Sequence, residues 1–229
     1  MTTPVEITRH FDRELGSLKQ DLLRMAALAE TAVGKSVESV TNRDSDRARE
    51  VIIDDITLNR MELAIEEQAF KLLALRQPVA TDLRLTVAAM RIATELERIG
   101  DQAVNIAERA LELNSRPPLE LPIDIKLMAD MALGMVRTSI DAFVNQDPKL
   151  AIQVCQRDVE VDILDDEYIQ KLLDSMIKES RWVTRLHHFI IIVRNLERIA
   201  DLATNIAEHI VFIVEGRVIK HRCEDMMLS

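Results

Sequence analysis

The sequence predicts an all-α protein made of two tandem three-helix bundles related by internal duplication. Glycine (5), proline (6) and aromatic residues (3%) are scarce, whereas strands favour aromatic residues and sheets need frequent turns. Residues 5–77 and 149–229 contain no proline, which leaves room for long helices. The segment 95–108 recurs 100 residues later as 195–208, and a repeat of that length indicates a duplicated unit.

The first half is predicted to form three helices. Helix one should span about residues 5–41, because its apolar residues recur at intervals of three and four. Turn-forming residues at 42–46 end it, and helix two then continues to about Arg76. Gln77-Pro78 ends helix two, and helix three follows and extends to about Leu113. The predicted core stripe of helix three is Ile92, Leu96, Ile99, Ala103, Ile106, Ala110 and Leu113.

The second half repeats this plan after a proline-rich segment at 114–122, which separates a predicted domain 1–116 from a predicted domain 117–229. Helix four should span about residues 123–145, with Met128, Met131 and Met135 facing inward. Asp147 and Pro148 then suit the N-cap and first position of helix five, which should end near residue 179. Helix six should begin near residue 181. Its predicted core stripe is Ile192, Leu196, Ile199, Ala203, Ile206, Ile210 and Ile213.

Charge and termini restrict the class of function. The net charge of −10 argues against a nucleic-acid partner, whose phosphates require a basic surface, and suits cations or a basic protein. The N-terminus lacks the apolar stretch of a signal peptide, and no aliphatic run is long enough to span a bilayer. The two cysteines, Cys155 and Cys223, lack metal-binding spacing. We therefore expect a cytoplasmic protein with reduced thiols and no transmembrane segment.

The duplicated segment carries a strip of polar side chains as well as a core stripe. At 100° per residue, the side chains of Glu97, Asp101, Asn105 and Glu108 fall within roughly 80° of one another on helix three. A helix that needed only a core would keep its apolar stripe and let its polar residues diverge. The same strip recurs on helix six as Glu197, Asp201, Asn205 and Glu208.

A second strip precedes it on helix two. Asp55, Asn59 and Glu62 are spaced at i, i+4 and i+7, so they share one face of the helix. Helices two and three are expected to be antiparallel neighbours, which allows their strips to face each other across one groove. At an offset of 103 residues, helix five carries the equivalent strip as Asp158, Asp162 and Asp165.

Facing carboxylates indicate a site for cations. Clustered carboxylates repel one another and are costly to desolvate, and a cation between them removes both penalties. Oxygen ligands suit iron, Mn²⁺, Mg²⁺ or Ca²⁺, whereas the absence of His and Cys from the strips argues against zinc. The alternative is a pair of solvated faces with surface ion pairs at i, i+3. These pairs are Arg98–Asp101, Arg198–Asp201 and Arg194–Glu197.

The paired segments Leu-Glu-Arg-Ile-(Gly/Ala)-Asp-x-Ala-x-Asn-Ile-Ala-Glu, together with Pro78-Val-Ala-Thr-Asp-Leu-Arg84 and Asn145-x-Asp147, resemble the PhoU family of phosphate-signalling proteins. The resemblance covers nearly the whole chain. It implies two tandem three-helix bundles and a non-enzymatic cytoplasmic regulator that restrains phosphate uptake and phosphate-starvation signalling. Its implied partners are the ATPase of the phosphate ABC transporter, which can recruit it to the inner face of the membrane, a sensor histidine kinase, and a second copy of itself.

Some members of that family bind multinuclear metal clusters through paired Glu/Asp-x-x-x-Asp motifs. The resemblance therefore implies metal ligands on helices three and six and on the helices that precede them, with no organic cofactor. One departure is Asn59, which stands where the second half has Asp162 and removes a negative charge from the first site. The implied ligands are Glu97 and Asp101, Glu197 and Asp201, and, on the neighbouring helices, Asp55 and Asp158–Asp162.

The prediction is thus a metal-binding signalling adaptor with no catalytic residues. Two alternatives stay open. One is a metal-dependent phosphate-ester hydrolase with a two-metal site, although the sequence offers no separate nucleophile or general base. The other is a helical adaptor that binds no metal.

Overall fold

The computed structural model describes residues 4–216, with the side chains of residues 4–10 and 12 left out of the description. Six long helices account for nearly all of this range, and the described residues contain no strand. A single 3-10 turn at Ser180–Trp182 precedes the last helix. The helices are α1 (Pro4–Thr41), α2 (Ser45–Arg76), α3 (Ala80–Asn114), α4 (Ile125–Asn145), α5 (Pro148–Lys178) and α6 (Val183–Glu215).

The helix boundaries follow capping chemistry encoded in the sequence. The side chain of Asp44 accepts hydrogen bonds from the backbone N–H groups of Asp46 and Arg47, which satisfies donors at the start of α2. Asp147 caps α5 in the same way, and Pro148 occupies its first turn as predicted. The six predicted helices are confirmed, with ends shifted by one or two residues.

The core of the molecule is continuous across both halves. All seven predicted core residues of α3 and all seven of α6 are buried, and so are Met128 and Met135, while Met131 is partly buried. The helices α3 and α6 pack against each other at the centre, and α1 packs against α4 beside them. The helices α2 and α5 occupy the outer positions, each against two helices of its own half. The fold is therefore two three-helix bundles joined along their inner helices.

The connection between the two bundles is anchored by Arg43, which follows α1. Its guanidinium donates hydrogen bonds to the carbonyl oxygens of Leu113 and Asn114 at the end of α3, and to that of Arg116. The last carbonyls of a helix lack i+4 donors, so a charged donor is well placed beside them, although Leu113 also accepts a hydrogen bond from the backbone N–H of Arg116. The division at residues 116 and 117 stays a prediction, because the halves share one core.

The helices and the cysteine of the described range bear on two of the expectations from the sequence. No helix in the described range 4–216 is long and apolar enough to cross a membrane. Cys155 is disulfide-bonded, so the expectation of a reduced thiol at this position is wrong. Cys223 lies outside the described residues.

Candidate metal centres

The first acidic cluster lies between α2 and α3. Asn59 Nδ2 donates a hydrogen bond to Asp55 Oδ2 at 3.0 Å, and Thr94 Oγ1 donates one to Glu62 Oε1 at 2.9 Å. The carboxylates of Asp55 and Glu62 lie close enough to Glu97 to act on its pKa, so the two predicted strips do face each other. We define the first cluster as Asp55, Asn59, Glu62, Glu97 and Asp101.

Charge is crowded in the first cluster. Partial burial is the main reason that the pKa of Glu97 rises to about 7, and the carboxylates of Asp101, Glu62 and Asp55 raise it further. The pKa of Asp101 is raised by burial first and then by Asp55 and Glu62. Near neutral pH the cluster therefore retains protons that a cation could replace.

Close helix packing at Gly100 brings α2 against α3 beside the first cluster. A Cβ atom at this position would lie 2.6 Å from Leu58 Cδ1 and 3.3 Å from Asp55 Oδ1. The aligned pair in the second half is Val161 and Ala200, both fully buried. The first half thus pairs a large residue with glycine where the second half pairs a smaller residue with alanine.

The second acidic cluster lies between α5 and α6. Its most buried member is Asp165, which is only 2% exposed. Asp165 Oδ2 accepts a hydrogen bond from Arg194 Nη1 of α6 at a distance of 2.6 Å. Asp162 and Asp165 lie close enough to Glu197 to act on its pKa, so these strips also face each other. We define the second cluster as Asp158, Asp162, Asp165, Glu197 and Asp201.

The second cluster is as crowded as the first. Burial, followed by repulsion from Asp201 and Asp162, raises the pKa of Asp158 to about 7. Burial, followed by Asp201 and Asp165, raises the pKa of Glu197 to about 7 as well. The pKa of Asp201 rises for the same reasons, with burial the larger cause. Both clusters thus hold carboxyl groups that resist ionisation in the absence of a counter-charge.

Several oxygen atoms in the clusters are buried without a hydrogen-bond partner. They are Asp55 Oδ1 and Asn59 Oδ1 in the first cluster, and Asp158 Oδ1 and Asp165 Oδ1 in the second. Buried polar atoms normally find a partner, and unpaired oxygens suit a hard cation or the water that such a cation carries. The donor chemistry of both clusters therefore fits the predicted metals.

The clusters are nevertheless not preformed metal sites. In the described residues, no group of three or more His, Cys, Asp or Glu side chains is arranged so that it could hold a metal ion as it stands. Three of the carboxylates already accept hydrogen bonds within the protein: Asp55 from Asn59, Glu62 from Thr94 and Asp165 from Arg194. Metal binding would require these side chains to rotate toward a common centre.

The two clusters reach the same formal charge in different ways. The first has four carboxylates, and within the described residues no ion pair reaches any of them, since Arg98 pairs with Glu95 instead. The second has five carboxylates, one of which is neutralised by Arg194. Asn59 removes one negative charge from the first cluster, and Arg194 neutralises one in the second, so the two formal charges are equal. The residue of the first half that aligns with Arg194 is Thr94.

The four additional strip residues lie elsewhere. Asn205 Nδ2 is 3.4 Å from Oε2 of Glu95, across the contact between α3 and α6, and Glu208 lies near the same carboxylate. Glu108 pairs with Arg109, and Asn105 is exposed. A metal-binding role for Asn105, Glu108, Asn205 and Glu208 stays a prediction.

Sequence reasoning missed the residues that hold the carboxylates in place. Thr94, Gly100 and Arg194 are not among the predicted site residues. Arg194 enters the sequence analysis only in the alternative of solvated faces, as a possible i, i+3 partner of Glu197 on its own helix. The available signal was the alignment of the two halves, in which positions 94 and 194 differ within otherwise similar segments. An arginine that occurs in only one of the two repeats indicates that only that cluster carries its own positive side chain.

The fold and the paired acidic clusters define a class: a duplicated helical-bundle protein with one acidic cluster per repeat. The family model described as the PhoU domain matches residues 22–110 and again 125–210. The chain belongs to the PhoU family, which confirms the resemblance carried by the repeated motif.

Curated relatives support this assignment over most of the chain. A phosphate-specific transport system accessory protein PhoU homolog from Caulobacter vibrioides is 38% identical over 209 residues, which cover 91% of this chain and 91% of that protein. A protein of the same description from Aquifex aeolicus is 36% identical over 210 residues, covering 92% and 95% of the two chains.

Solved structures support the fold in the same way. The crystal structure of PhoU from Pseudomonas aeruginosa matches with a TM-score of 0.86 at 35% identity, covering 90% of this chain and all of that one. The phosphate transport system regulatory protein PhoU from Streptococcus pneumoniae matches with a TM-score of 0.84 at 28% identity, covering 91% of this chain and 98% of that one.

Proposed function

We propose that this protein is a regulatory accessory protein of phosphate transport whose two acidic clusters bind hard metal ions. The observation that carries the metal proposal is the twofold occurrence of facing carboxylates with buried, unpaired oxygens. The names of the relatives support the phosphate-transport role, since they describe accessory and regulatory proteins of such systems.

The proposed ligands are the carboxylates of the two clusters, with Asn59 as a neutral oxygen donor in the first. Oxygen-only donor sets of this kind suit iron, Mn²⁺, Mg²⁺ or Ca²⁺. A cation would relieve the repulsion that raises the pKa values of Glu97 and Glu197 and would satisfy the unpaired oxygens. An ion bound only by the folded state stabilises it, so metal binding can set how readily the outer helices move.

The experiment for the second cluster combines Asp162→Ala with Asp201→Ala. Purified protein is dialysed against iron, Mn²⁺, Mg²⁺ or Ca²⁺, and its metal content is measured by plasma mass spectrometry. The variant should lose the metal of the second cluster and keep that of the first. The control is Asp174→Ala, an exposed carboxylate on the same helix as Asp162. Equal metal content in wild type and double variant would refute the site assignment.

We further propose that the protein acts as an adaptor without catalytic activity of its own. Its proposed partners are the ATPase of a phosphate ABC transporter and the sensor histidine kinase of the phosphate two-component system, at the inner face of the membrane. The net charge of −10 favours basic partner surfaces, and association should therefore weaken with salt. A pull-down with the purified transporter ATPase at low and high salt tests this role, and no capture at low salt would contradict it.

The rival functions can be separated by two simple measurements. A metal-dependent hydrolase would turn over a phosphate ester in a way that depends on Asp101 and Asp201. An adaptor without metal is favoured by the absence of a preformed ligand group in the described residues. It would take up no ion on dialysis while still capturing its partner.

A further inference from the structure

A cleft with a volume of about 290 Å³ lies between α1 and α2 of the first bundle. Four apolar side chains line it: Leu28 and Ala32 of α1, and Val51 and Leu58 of α2. Concave surfaces that combine apolar side chains with a few polar groups are typical small-molecule sites, and this volume suits a small ligand. We call this cavity the α1–α2 cleft.

The charged side chains of the cleft leave an excess of negative charge. Asp54 and Asp55 line it from α2, and Lys35 is the one cation among the residues that line it. Lys35 Nζ lies 3.6 Å from Asp54 Oδ2 and 3.4 Å from Glu50 Oε2. These distances exceed the roughly 2.7–2.9 Å of a charge-assisted hydrogen bond, so Lys35 neutralises Asp54 only loosely. The cleft therefore favours a further positive group.

The second half carries a cation at the equivalent place. At the offset of 103 residues, Asp54 aligns with Arg157. Thr31, which lines the cleft, aligns with Gly134. Arg157 Nη1 lies 3.3 Å from the position that a Cβ atom at Gly134 would occupy. A guanidinium on an aliphatic stem thus reaches from α5 to α4, over the surface that corresponds to the cleft.

The two halves therefore differ in where the positive group comes from. The second half supplies its own guanidinium at position 157. The first half has a carboxylate at the aligned position 54 and a second one at Asp55, so it presents acceptors where the second half presents a donor. Lys35 reaches this place only from the facing helix and shares its charge with Glu50.

We propose that the α1–α2 cleft binds a small organic cation, an aliphatic amine or guanidine. Its charged end donates hydrogen bonds to Asp54 and Asp55, and its aliphatic stem lies on Leu28 and Leu58. Lysine and arginine side chains combine a charged end with an apolar stem in the same way. The proposal does not depend on metal binding, although Asp55 also belongs to the first cluster.

The probe is agmatine, an aliphatic amine that ends in a guanidinium. Its binding to the full chain is measured by titration calorimetry in chelator, which keeps metal away from Asp55. The wild type should bind one agmatine per chain, whereas 1-butanol, which has a stem without a charge, should not bind. Absence of agmatine binding by the wild type would overturn the proposal.

Removal of the competing cation tests the position of the site. Lys35→Gln should tighten agmatine binding about threefold or more, because it frees Asp54 from a loose surface ion pair. The matched control is Lys126→Gln, an exposed lysine of α4 that removes the same charge away from the cleft. Equal affinities of the two variants for agmatine would show a response to net charge alone and would overturn the proposal.

Transfer of the second-half residues into the first half should close the cleft. Asp54→Arg with Thr31→Gly places a tethered guanidinium there, and agmatine binding should weaken about tenfold or more. The control is Asp174→Arg, an exposed position on α5 with the same change of charge. Circular dichroism verifies that each variant is folded. Wild-type affinity in the folded double variant would overturn the proposal.

Discussion

Arg194 Nη1 lies 2.6 Å from Asp165 Oδ2 and joins α6 to α5 inside the second acidic cluster. At the aligned position of the first cluster, Thr94 donates a neutral hydrogen bond to Glu62 at 2.9 Å. The two clusters therefore hold equivalent carboxylates by different means. A guanidinium competes with any metal ion for Asp165, whereas a hydroxyl leaves the charge of Glu62 available.

Placing Thr at position 194 and Arg at position 94 should change the metal affinities of the two clusters in opposite directions. Arg194→Thr should raise the metal affinity of the second cluster by about tenfold or more, because a charge-assisted hydrogen bond is worth about 1.5–3 kcal/mol. Thr94→Arg should lower the affinity of the first cluster. Titration calorimetry can measure each cluster alone in an Asp101→Ala or Asp201→Ala background. Unchanged affinity in both exchanges would show that Arg194 does not compete with metal.

Arg194→Thr should also destabilise the metal-free protein, because it leaves Asp165 buried without its cation. A loss of about 1–3 kcal/mol in the free energy of unfolding is expected from an unsatisfied buried polar group. Saturating metal should recover much of this loss. The control is Arg157→Thr, an exposed arginine of α5 whose guanidinium lies beside Gly134 of α4. Equal unfolding midpoints for wild type and both variants would contradict the proposed role of the pair.

Asn59 and Asp162 allow a second exchange, in charge alone. Asn59→Asp adds a carboxylate to the first cluster and removes the amide that donates to Asp55. Metal affinity of the first cluster should therefore rise, while the metal-free protein should lose stability through added repulsion. Asp162→Asn should have the opposite effects in the second cluster. The free energy of unfolding, measured in chelator and in saturating metal, checks both the stability and the metal affinity of each variant. A change in metal-free stability with the same sign in both variants would contradict the expectation.

Gly100 and Leu58 should behave as a coupled pair. Gly100→Ala forces a methyl group into Leu58 and toward Asp55, and overpacking of this kind costs about 1–3 kcal/mol. Adding Leu58→Val reproduces the Val161 and Ala200 pair of the second half and should restore most of the stability. A double-mutant cycle of unfolding free energies measures the coupling. Additive effects would show that the close approach at Gly100 does not limit packing.

The stability of the metal-free protein should fall as pH rises from about 4.5 to about 7. Folding raises the pKa of Glu97 and Glu197 from 4.5 to about 7, so the folded state binds more protons than the unfolded state in this window. Stability then decreases with pH until both states are ionised. The slope should flatten in Glu97→Gln with Glu197→Gln, and in saturating metal. An equally steep decrease in the double variant would contradict the assignment.

The fold was predictable because its signals are local and repeated. Caps such as Asp44 and Asp147, the break at Pro78, and apolar stripes of helical period each determine one boundary or one face. Pairing of the acidic strips followed from helix order, since consecutive helices joined by short turns are antiparallel neighbours. The two small errors at the starts of α4 and α6 lie beside irregular segments, where boundaries depend on tertiary contacts.

Details of the site were not predictable, because they depend on which of several nearby partners a charged side chain contacts in the folded structure. Arg194 has Glu197 three residues along its own helix and Asp165 on the facing helix, and it selects the buried carboxylate. The role of Gly100 depends on the distance between two helices, which no local pattern encodes. Asn205 and Glu208 share a strip with Glu197 on a helical wheel, yet they lie beside Glu95 of the other bundle.

The central claim is that each repeat carries its own metal-binding cluster. The most direct measurement is metal stoichiometry after equilibrium dialysis, determined by plasma mass spectrometry for wild type, Asp101→Ala, Asp201→Ala and the double variant. Each single substitution should remove the metal of one cluster, and the double substitution should remove nearly all bound metal while the helical circular dichroism spectrum is retained. A wild type that takes up none of the four ions, or a double variant that binds as much as wild type, would contradict the claim.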